Sequence, residues 1–389
     1  MGEILQDRIF VGAGLSKPID QITTDLPFVI HCPIATQSQI YTARIFITQP
    51  AFASRTQQGV IHRHTVTNPT TFNTQCHMPT HIDVLCGQYS DVVVYNQKAI
   101  AADRKFLAEV GAMNVYSLYR THDYHFVIYG AMFLGQYGPA IRAAQELIDT
   151  TPDELLRVES PPMADFIEGY LPMKQHVLIR FGKWEKIVTQ ELPEDQLLYC
   201  ATTAMMRYAR SVAYSAMGNV AEAAAEKEAF LAAKAKVPET RRVHNNTVVD
   251  ILEIAEAMLM GELEYRKGNH QVAFDYLRKS VELDDALPYD EPWGWMQPAR
   301  HALGALLMEQ GYLEEAEDVY RADLGLDNSL SRACQHPGNL WSLHGLNECL
   351  IHRGEQVELL HIKQQLDQAI ARAEVTVTSS CYCRRDVAA

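Results

Sequence analysis

The segments GNHQVAFDYLRKSVELD (268–284) and GYLEEAEDVYRADLGLD (311–327) follow one pattern, and GQYSDVVVYNQKAIAAD (87–103) follows it as well. In each segment, a glycine is followed five positions later by a small or aliphatic residue. Units of this kind begin at seven glycines: Gly87, Gly135, Gly182, Gly218, Gly268, Gly311 and Gly354. Glycine adopts a positive φ without steric cost, and the small residue lets two helices approach closely. The pattern therefore predicts a series of helix–turn–helix hairpins over residues 76–375.

Seven such units in series resemble the tetratricopeptide repeat, a helix–turn–helix unit whose copies stack side by side. The glycines here are 36 to 50 residues apart, which exceeds the family's usual repeat of about 34 residues. The resemblance implies an all-α fold, a right-handed superhelix (α-solenoid) of stacked hairpins. It also implies a concave groove lined by the first helix of each hairpin.

Two segments lie outside this repeat region. Residues 1–75 are rich in Thr, Gln, Ile and Pro, contain a β-prone run at 40–47, and show no helical period. We expect them to form an irregular or poorly ordered N-terminal extension. Residues 376–389 are expected to form a C-terminal tail that carries a Cys-x-Cys pair, Cys381 and Cys383.

The acidic composition narrows the range of partners. The 389 residues include 34 Lys and Arg against 48 Asp and Glu, a formal net charge of −14. No nucleic-acid partner is expected, because phosphate binding needs clustered Lys and Arg. The absence of a long apolar run or a secretory signal predicts a cytoplasmic protein with no membrane partner. The eight cysteines are then expected to be free thiols.

Histidines recur at one position of the predicted repeats. Ten residues before the repeat glycine, four of the seven units carry a histidine: His77, His125, His301 and His344. His81 lies one helical turn after His77, and His122 lies one turn before His125. Converging neutral imidazoles are typical ligands of Zn, Cu and Fe. The sequence thus predicts a transition-metal site (Cu, Fe or Zn), with His77, His81, His125 and His301 as first-choice ligands and His122 and His344 next. The alternative is that each histidine caps a helix or belongs to a polar inner surface.

The loop before His301 carries a second set of candidates. Asp290 and Glu291 are predicted to act as catalytic groups, as a metal ligand or a general base. Trp293 and Trp295 are predicted to form an aromatic wall for a small molecule. The alternative is an acidic loop with buried tryptophans. Two further candidates for substrate contact are Tyr124 and His336, and the alternative for His336 is an ordinary loop histidine. The Cys-x-Cys pair is either an incomplete metal site or a spare pair of thiols.

Four segments carry a more specific resemblance. They are HMPTHIDVLCGQY (77–89), HDYHF (122–126), LPYDEPWGWMQPARHALGALLMEQG (287–311) and WSLHGL (341–346). They look like a family of microbial tetratricopeptide-like proteins with HMPSHI-type and DEP-x-W-type motifs. The resemblance implies an all-α repeat fold over about residues 76–375 and, for some members, an association with metabolic or biosynthetic genes. Residues 1–75 depart from the helices that members carry upstream.

Two classes of function fit these observations. The first is a metal-dependent, oxidative reaction on a small molecule bound in the histidine-lined groove. The alternative is a non-catalytic scaffold that binds a peptide or a partner protein in the same groove, and an accessory protein of a biosynthetic pathway is a third reading. The sequence contains no Walker loop, dinucleotide-binding glycine fingerprint, Gly-x-Ser-x-Gly elbow or EF-hand loop, which argues against most nucleotide-binding, hydrolase and calcium-binding functions.

Overall fold

The computed structural model describes residues 76–385 and two short strands further upstream. Those strands, β1 (Ile34–Thr36) and β2 (Gln39–Tyr41), pair in antiparallel register. The rest of the predicted N-terminal extension lies outside the described residues, as do Cys32 and residues 386–389.

Residues 76–385 are mostly helical and contain almost no strands, so the predicted all-α class is confirmed for this part of the chain. The α-helices are α1 (Thr80–Leu85), α2 (Tyr89–Val110), α3 (Ser117–Phe133), α4 (Tyr137–Asp149), α5 (Asp153–Leu156), α6 (Met163–Ile167), α7 (Met173–Arg180), α8 (Trp184–Val188), α9 (Cys200–Met217), α10 (Val220–Lys234), α11 (Val248–Arg266), α12 (His270–Asp285), α13 (Ala299–Glu309), α14 (Leu313–Leu324), α15 (Leu340–Arg353) and α16 (Val357–Ile370). Two 3₁₀ turns, Glu168–Tyr170 and Arg332–Cys334, and a two-residue hairpin of β3 (Arg242–Val243) and β4 (Asn246–Thr247), complete the described elements. None of the described helices is both long and apolar enough to cross a bilayer.

Each of the seven predicted turns joins two helices. All seven repeat glycines have φ between 60° and 85°, a region that favours glycine. At Gly87 the close approach of another loop adds a second reason, because a Cβ there would lie 2.1 Å from the carbonyl oxygen of Pro337. The residue five positions after the glycine is buried in six of the seven units: Val92, Ala140, Ile187, Ala223, Ala273 and Ala316.

The second hairpin contacts the last one. The indole of Trp341 on α15 donates a 2.8 Å hydrogen bond to the carbonyl of Met132 near the end of α3. The amide of Gln136, in the turn after α3, donates to the carbonyl of Arg372 after α16. Helices that are distant in sequence therefore meet, and α3 is buried along most of its length.

The last residues before position 386 pack against these helices. We call residues 374–385 the C-terminal segment. The Ser380 hydroxyl donates to the carbonyl of His301 on α13, and the Arg180 guanidinium of α7 donates to the carbonyl of Ser380. The ring of Tyr320 on α14 lies against Gly304 and Gly345, where no side chain is in the way, and its hydroxyl is 2.6 Å from Ser380 Oγ. The predicted tail is thus held by contacts up to residue 385.

The cysteines only partly match the prediction of free thiols. Cys86, Cys200, Cys334 and Cys349 are free thiols. Cys381 and Cys383 are instead joined by a disulfide in the buried C-terminal segment. Their two-residue spacing within one packed segment brings the sulfurs together.

Candidate functional site

Three histidines converge where α1 meets α3. His77 lies just before α1, His81 lies in its first turn, and His122 lies in α3. One ring nitrogen of each lies within 4.8 Å of those of the other two. The Nε2 atoms of His77 and His81 are 3.1 Å apart. We call these residues the three-histidine cluster, and it contains three of the six predicted ligands.

The ring of Phe126 supports this cluster from below. Because Phe126 lies one helical turn after His122, both rings project from the same side of α3. Its centroid is 4.8 Å from that of His77, 4.7 Å from that of His81 and 5.0 Å from that of His122. The imidazoles therefore pack on an apolar base, which restricts their rotation.

Acidic and amide oxygens hold the other ring nitrogens. His77 Nδ1 is 2.8 Å from Asp123 Oδ1 and 2.8 Å from Asn96 Oδ1. His81 Nδ1 is 2.7 Å from Glu291 Oε2. Carboxylates accept hydrogen bonds, so each Nδ1 carries the proton and donates it. Each Nε2 then presents a lone pair in the neutral ring, and the two lone pairs face each other.

The electrostatics differ among the three rings. Burial disfavours the charged form of His77, but the adjacent Asp123 carboxylate outweighs burial and raises the pKa of His77. Burial, followed by the charge of His77, lowers the pKa of His81 despite its hydrogen bond to Glu291. Burial and the neighbouring imidazoles hold the pKa of His122 well below its ordinary value. Of the three rings, His77 is therefore the one that most readily holds an additional proton.

His122 Nδ1 is buried and has no hydrogen-bond partner among the described residues. A buried polar atom without a hydrogen-bond partner costs about 1–3 kcal/mol of folding free energy, unless a bound ligand contacts it. His122 is a member of the three-histidine cluster, so a cation bound there is one way to satisfy its ring nitrogens.

A fourth histidine borders the cluster and was not predicted. His244 stacks on His122 with ring centroids 5.0 Å apart, and its Nδ1 is 2.5 Å from Asp290 Oδ1. It lies in the turn between β3 and β4 with φ 49°. The position ten residues before each repeat glycine does not include His244, because this residue belongs to a loop between repeats. The adjacent Asn245 and Asn246, residues that favour tight turns, were the only local signal.

The two predicted catalytic carboxylates contact histidines. Asp290 accepts hydrogen bonds from His244, from the backbone of Asn245 and from the side chain of Asn246. Glu291 accepts from His81. Both carboxylates therefore orient imidazoles, and the loop that carries them lies beside the cluster.

His125 is adjacent to the cluster without being part of it. Its ring centroid is 5.7 Å from that of His122, and its Nε2 is 3.1 Å from the sulfur of Met296. Burial holds the pKa of His125 well below its ordinary value. The group of converging ring nitrogens contains His122 and not His125.

His301 and His344 lie away from the cluster, so the predicted gathering of six histidines does not occur. His301 Nε2 is 2.9 Å from Asp323 Oδ2, and His336 Nδ1 is 2.7 Å from Oδ1 of the same buried carboxylate, which also accepts hydrogen bonds from Asn339 and Ser342. Burial lowers the pKa of His301 to about 4. His336 and His301 pack against Phe133, which is eleven residues, or roughly 16 Å, along α3 from His122. The repeat register fixes a position within each hairpin, but it does not fix the distance between hairpins.

The predicted substrate-contacting side chains have structural partners elsewhere. The indole of Trp293 donates to Asp284, and Trp295 packs edge-on against His176 and Tyr208. Tyr124 is buried, with its hydroxyl beside Glu146. His336 bonds Asp323 and the hydroxyl of Tyr129. None of these predicted contacts borders the three-histidine cluster in the described part of the chain.

The sequence matches no protein-family model, and it matches no curated protein. The case for a function therefore depends on the residues of the cluster and their surroundings.

Proposed function

We propose that this chain is a tetratricopeptide-like α-solenoid that binds one transition metal ion, Cu, Fe or Zn, through His77, His81 and His122. We further propose that it supports a metal-dependent reaction on a small molecule, with oxidation as the first class to test. The right-handed superhelix, the cytoplasmic location and the link to biosynthesis belong to the same proposal.

One observation carries the metal assignment. His77 and His81 point their Nε2 atoms at each other across 3.1 Å while both Nδ1 atoms are engaged by acceptors. Two facing lone pairs repel, so the space between them favours a proton or a metal cation. Histidine ligands of metals commonly donate their second ring nitrogen to a carboxylate, which fixes the tautomer and raises the basicity of the ligand. Asp123 and Glu291 fulfil this role here.

The donor set also fits the proposed ions. Imidazole nitrogens suit Zn, Cu and Fe, and three protein ligands leave at least one coordination position for another molecule. A metal held in this way can polarise a bound substrate or activate a small molecule such as water at the open position. The buried nitrogen of His122 would gain a partner.

One side of the cluster is accessible. The side chain of His81 is 20% exposed and that of His244 is 41% exposed, whereas Phe126, which packs against all three histidines, is fully buried. A small molecule would approach from the side of His244. We propose that His244 accepts a proton from a molecule at that side. Asp290 Oδ1, which lies 2.5 Å from His244 Nδ1, would orient the imidazole ring.

The scaffold alternative has less support. The C-terminal segment contacts α7, α13 and α14, so it covers part of the surface that a groove formed by these helices would offer. A partner peptide in that groove would have to displace it.

The proposal is tested by measuring metals in the purified protein by mass spectrometry, after reconstitution with each candidate ion. Wild type is compared with His77→Ala/His81→Ala. The matched control is His352→Ala/His361→Ala, which removes two exposed histidines from the last hairpin. We expect the first variant to bind about one equivalent less than wild type and the control to bind the same amount. Equal metal content in all three proteins would contradict the proposal and would favour a scaffold.

A further inference from the structure

Glu262 is a buried carboxylate with surroundings that favour binding of a cation. It lies in α11 and is 3% exposed. No hydrogen bond or ion pair joins its carboxylate to another residue within 76–385. Burial raises its pKa to about 7. Burying a carboxyl group without a hydrogen bond costs free energy. A bound ligand would offset this cost, and other side chains that can bind a ligand lie next to Glu262.

Two sulfur atoms complete that cluster. One carboxylate oxygen of Glu262 and the sulfurs of Cys381 and Cys383 all lie within 4.8 Å of one another. Both cysteines are buried, and they form a disulfide. The segment that carries them is fixed on both sides, by Ser380 on Tyr320 and by Arg384 on Glu348. The donors are therefore held in place by the fold.

The charge around the cluster also suits an anionic metal complex. The guanidinium of Arg266, one turn after Glu262, donates to the carbonyl of Cys383. It is the charged group that favours ionisation of Glu262. Two thiolates and one carboxylate around a divalent cation leave one net negative charge, which this guanidinium offsets.

We propose that Glu262, Cys381 and Cys383 form a second metal site, which binds a thiophilic divalent cation such as Zn²⁺ when the two cysteines are reduced. Thiolates favour this class of ion, and three protein ligands leave a fourth tetrahedral position. This site is separate from the three-histidine cluster and does not depend on it. Its ligands join α11 to the C-terminal segment, so the metal would fix that segment in place.

The chemistry balances with a phosphine as reductant. One phosphine and one water convert the disulfide into two thiols and one phosphine oxide. Each thiol then loses its proton to solvent as its thiolate binds the cation. Binding thus releases two protons per metal, one from each thiol.

The test uses Co²⁺ as the probe on the full-length protein, followed by absorption spectroscopy. Cobalt bound by thiolates has a sulfur-to-metal charge-transfer band in the near ultraviolet, and cobalt bound by imidazoles alone has none. Phosphine-reduced wild type should develop this band, and oxidised wild type should not. The band should persist in His77→Ala/His81→Ala, which separates this proposal from the first one.

Three variants locate the ligands. Cys381→Ser/Cys383→Ser should lose the band. Glu262→Gln should weaken cobalt binding at least about tenfold, the loss typical of groups that support a metal site. The matched control Cys86→Ser removes an exposed thiol and should behave as wild type. An absence of the band in reduced wild type, or an equal band in the double serine variant, would overturn the proposal. The main comparison is between the reduced and oxidised forms of the wild-type protein. It therefore does not depend on whether each variant folds.

Discussion

The carboxylate of Glu291 offers the sharpest test of how the cluster holds a metal. Its Oε2 accepts a 2.7 Å hydrogen bond from His81 Nδ1, and its Oε1 accepts one from the hydroxyl of Tyr289. Glutamine at this position has a single carbonyl oxygen and an amide group that cannot accept. Glu291→Gln must therefore give up one of the two donors, and it also removes the negative charge.

The expected magnitude follows from these contacts. A hydrogen bond to a charged group contributes about 1.5–3 kcal/mol and a neutral one about 0.5–1.5 kcal/mol. Glu291→Gln should therefore cost about 1.4 kcal/mol of binding free energy, a tenfold rise in Kd. Glu291→Ala removes the interaction entirely, and we expect a loss of about 100-fold, the upper end for groups that support a metal ligand.

The assay is competition with a chromophoric chelator at pH 7.5, on phosphine-free protein so that only the histidine site is measured. Tyr289→Phe should bind as wild type, and Glu291→Gln/Tyr289→Phe should recover part of the loss, because the single oxygen is then free for His81. Glu282→Gln, at an exposed position in α12, is the matched control. If Glu291→Ala binds metal as tightly as wild type, the role assigned to this carboxylate is wrong.

Three more predictions follow from packing and charge. Gly345→Ala places a Cβ 2.2 Å from a ring atom of Tyr320. The free energy of unfolding, measured by urea titration, should therefore fall by about 1–3 kcal/mol. An unchanged free energy of unfolding would show that the two residues are not closely packed. Burial lowers the pKa of His176 to about 3, so between pH 6.5 and pH 3 the unfolded state binds more protons and stability is lost as the pH falls. From pH 7 to pH 5 wild type should lose about 2 kcal/mol more than His176→Gln, and parallel losses would contradict this. Because the pKa of His77 is raised, a metal ion must compete with a proton for this ring. The affinity of the histidine site for the metal should therefore fall about tenfold per pH unit below that pKa. A Kd that does not change with pH would exclude this competition.

The hairpins were predictable from sequence because they depend on local geometry. A glycine with positive φ and a small residue five positions later are requirements of one turn and one helix contact, so Gly268 and Ala273 suffice to identify a hairpin. His77 and His81 were predictable for the same reason, since one helical turn separates them. His122 was included as a neighbour of His125, and the structure brings His122, not His125, into the three-histidine cluster.

Contacts between distant hairpins were not predictable. His244 reaches the cluster from a turn outside the repeat pattern, and His301 faces Asp323 because of how α13 meets α14. A repeat pattern in the sequence does not predict the distance between two such elements. The path of the C-terminal segment depends in the same way on side chains contributed by several helices, which together hold Ser380.

The contact between Trp341 and the end of α3 has a consequence for how the protein unfolds. In an open array each unit touches only its neighbours, so stability is close to a sum of local terms and the ends can fray independently. Here an early unit also bonds a late one, which links the two ends of the described array. Loss of either end removes an interface from the other, so urea should unfold residues 76–385 in one transition, and deletion of the last hairpin should destabilise α3 as strongly as it destabilises α14.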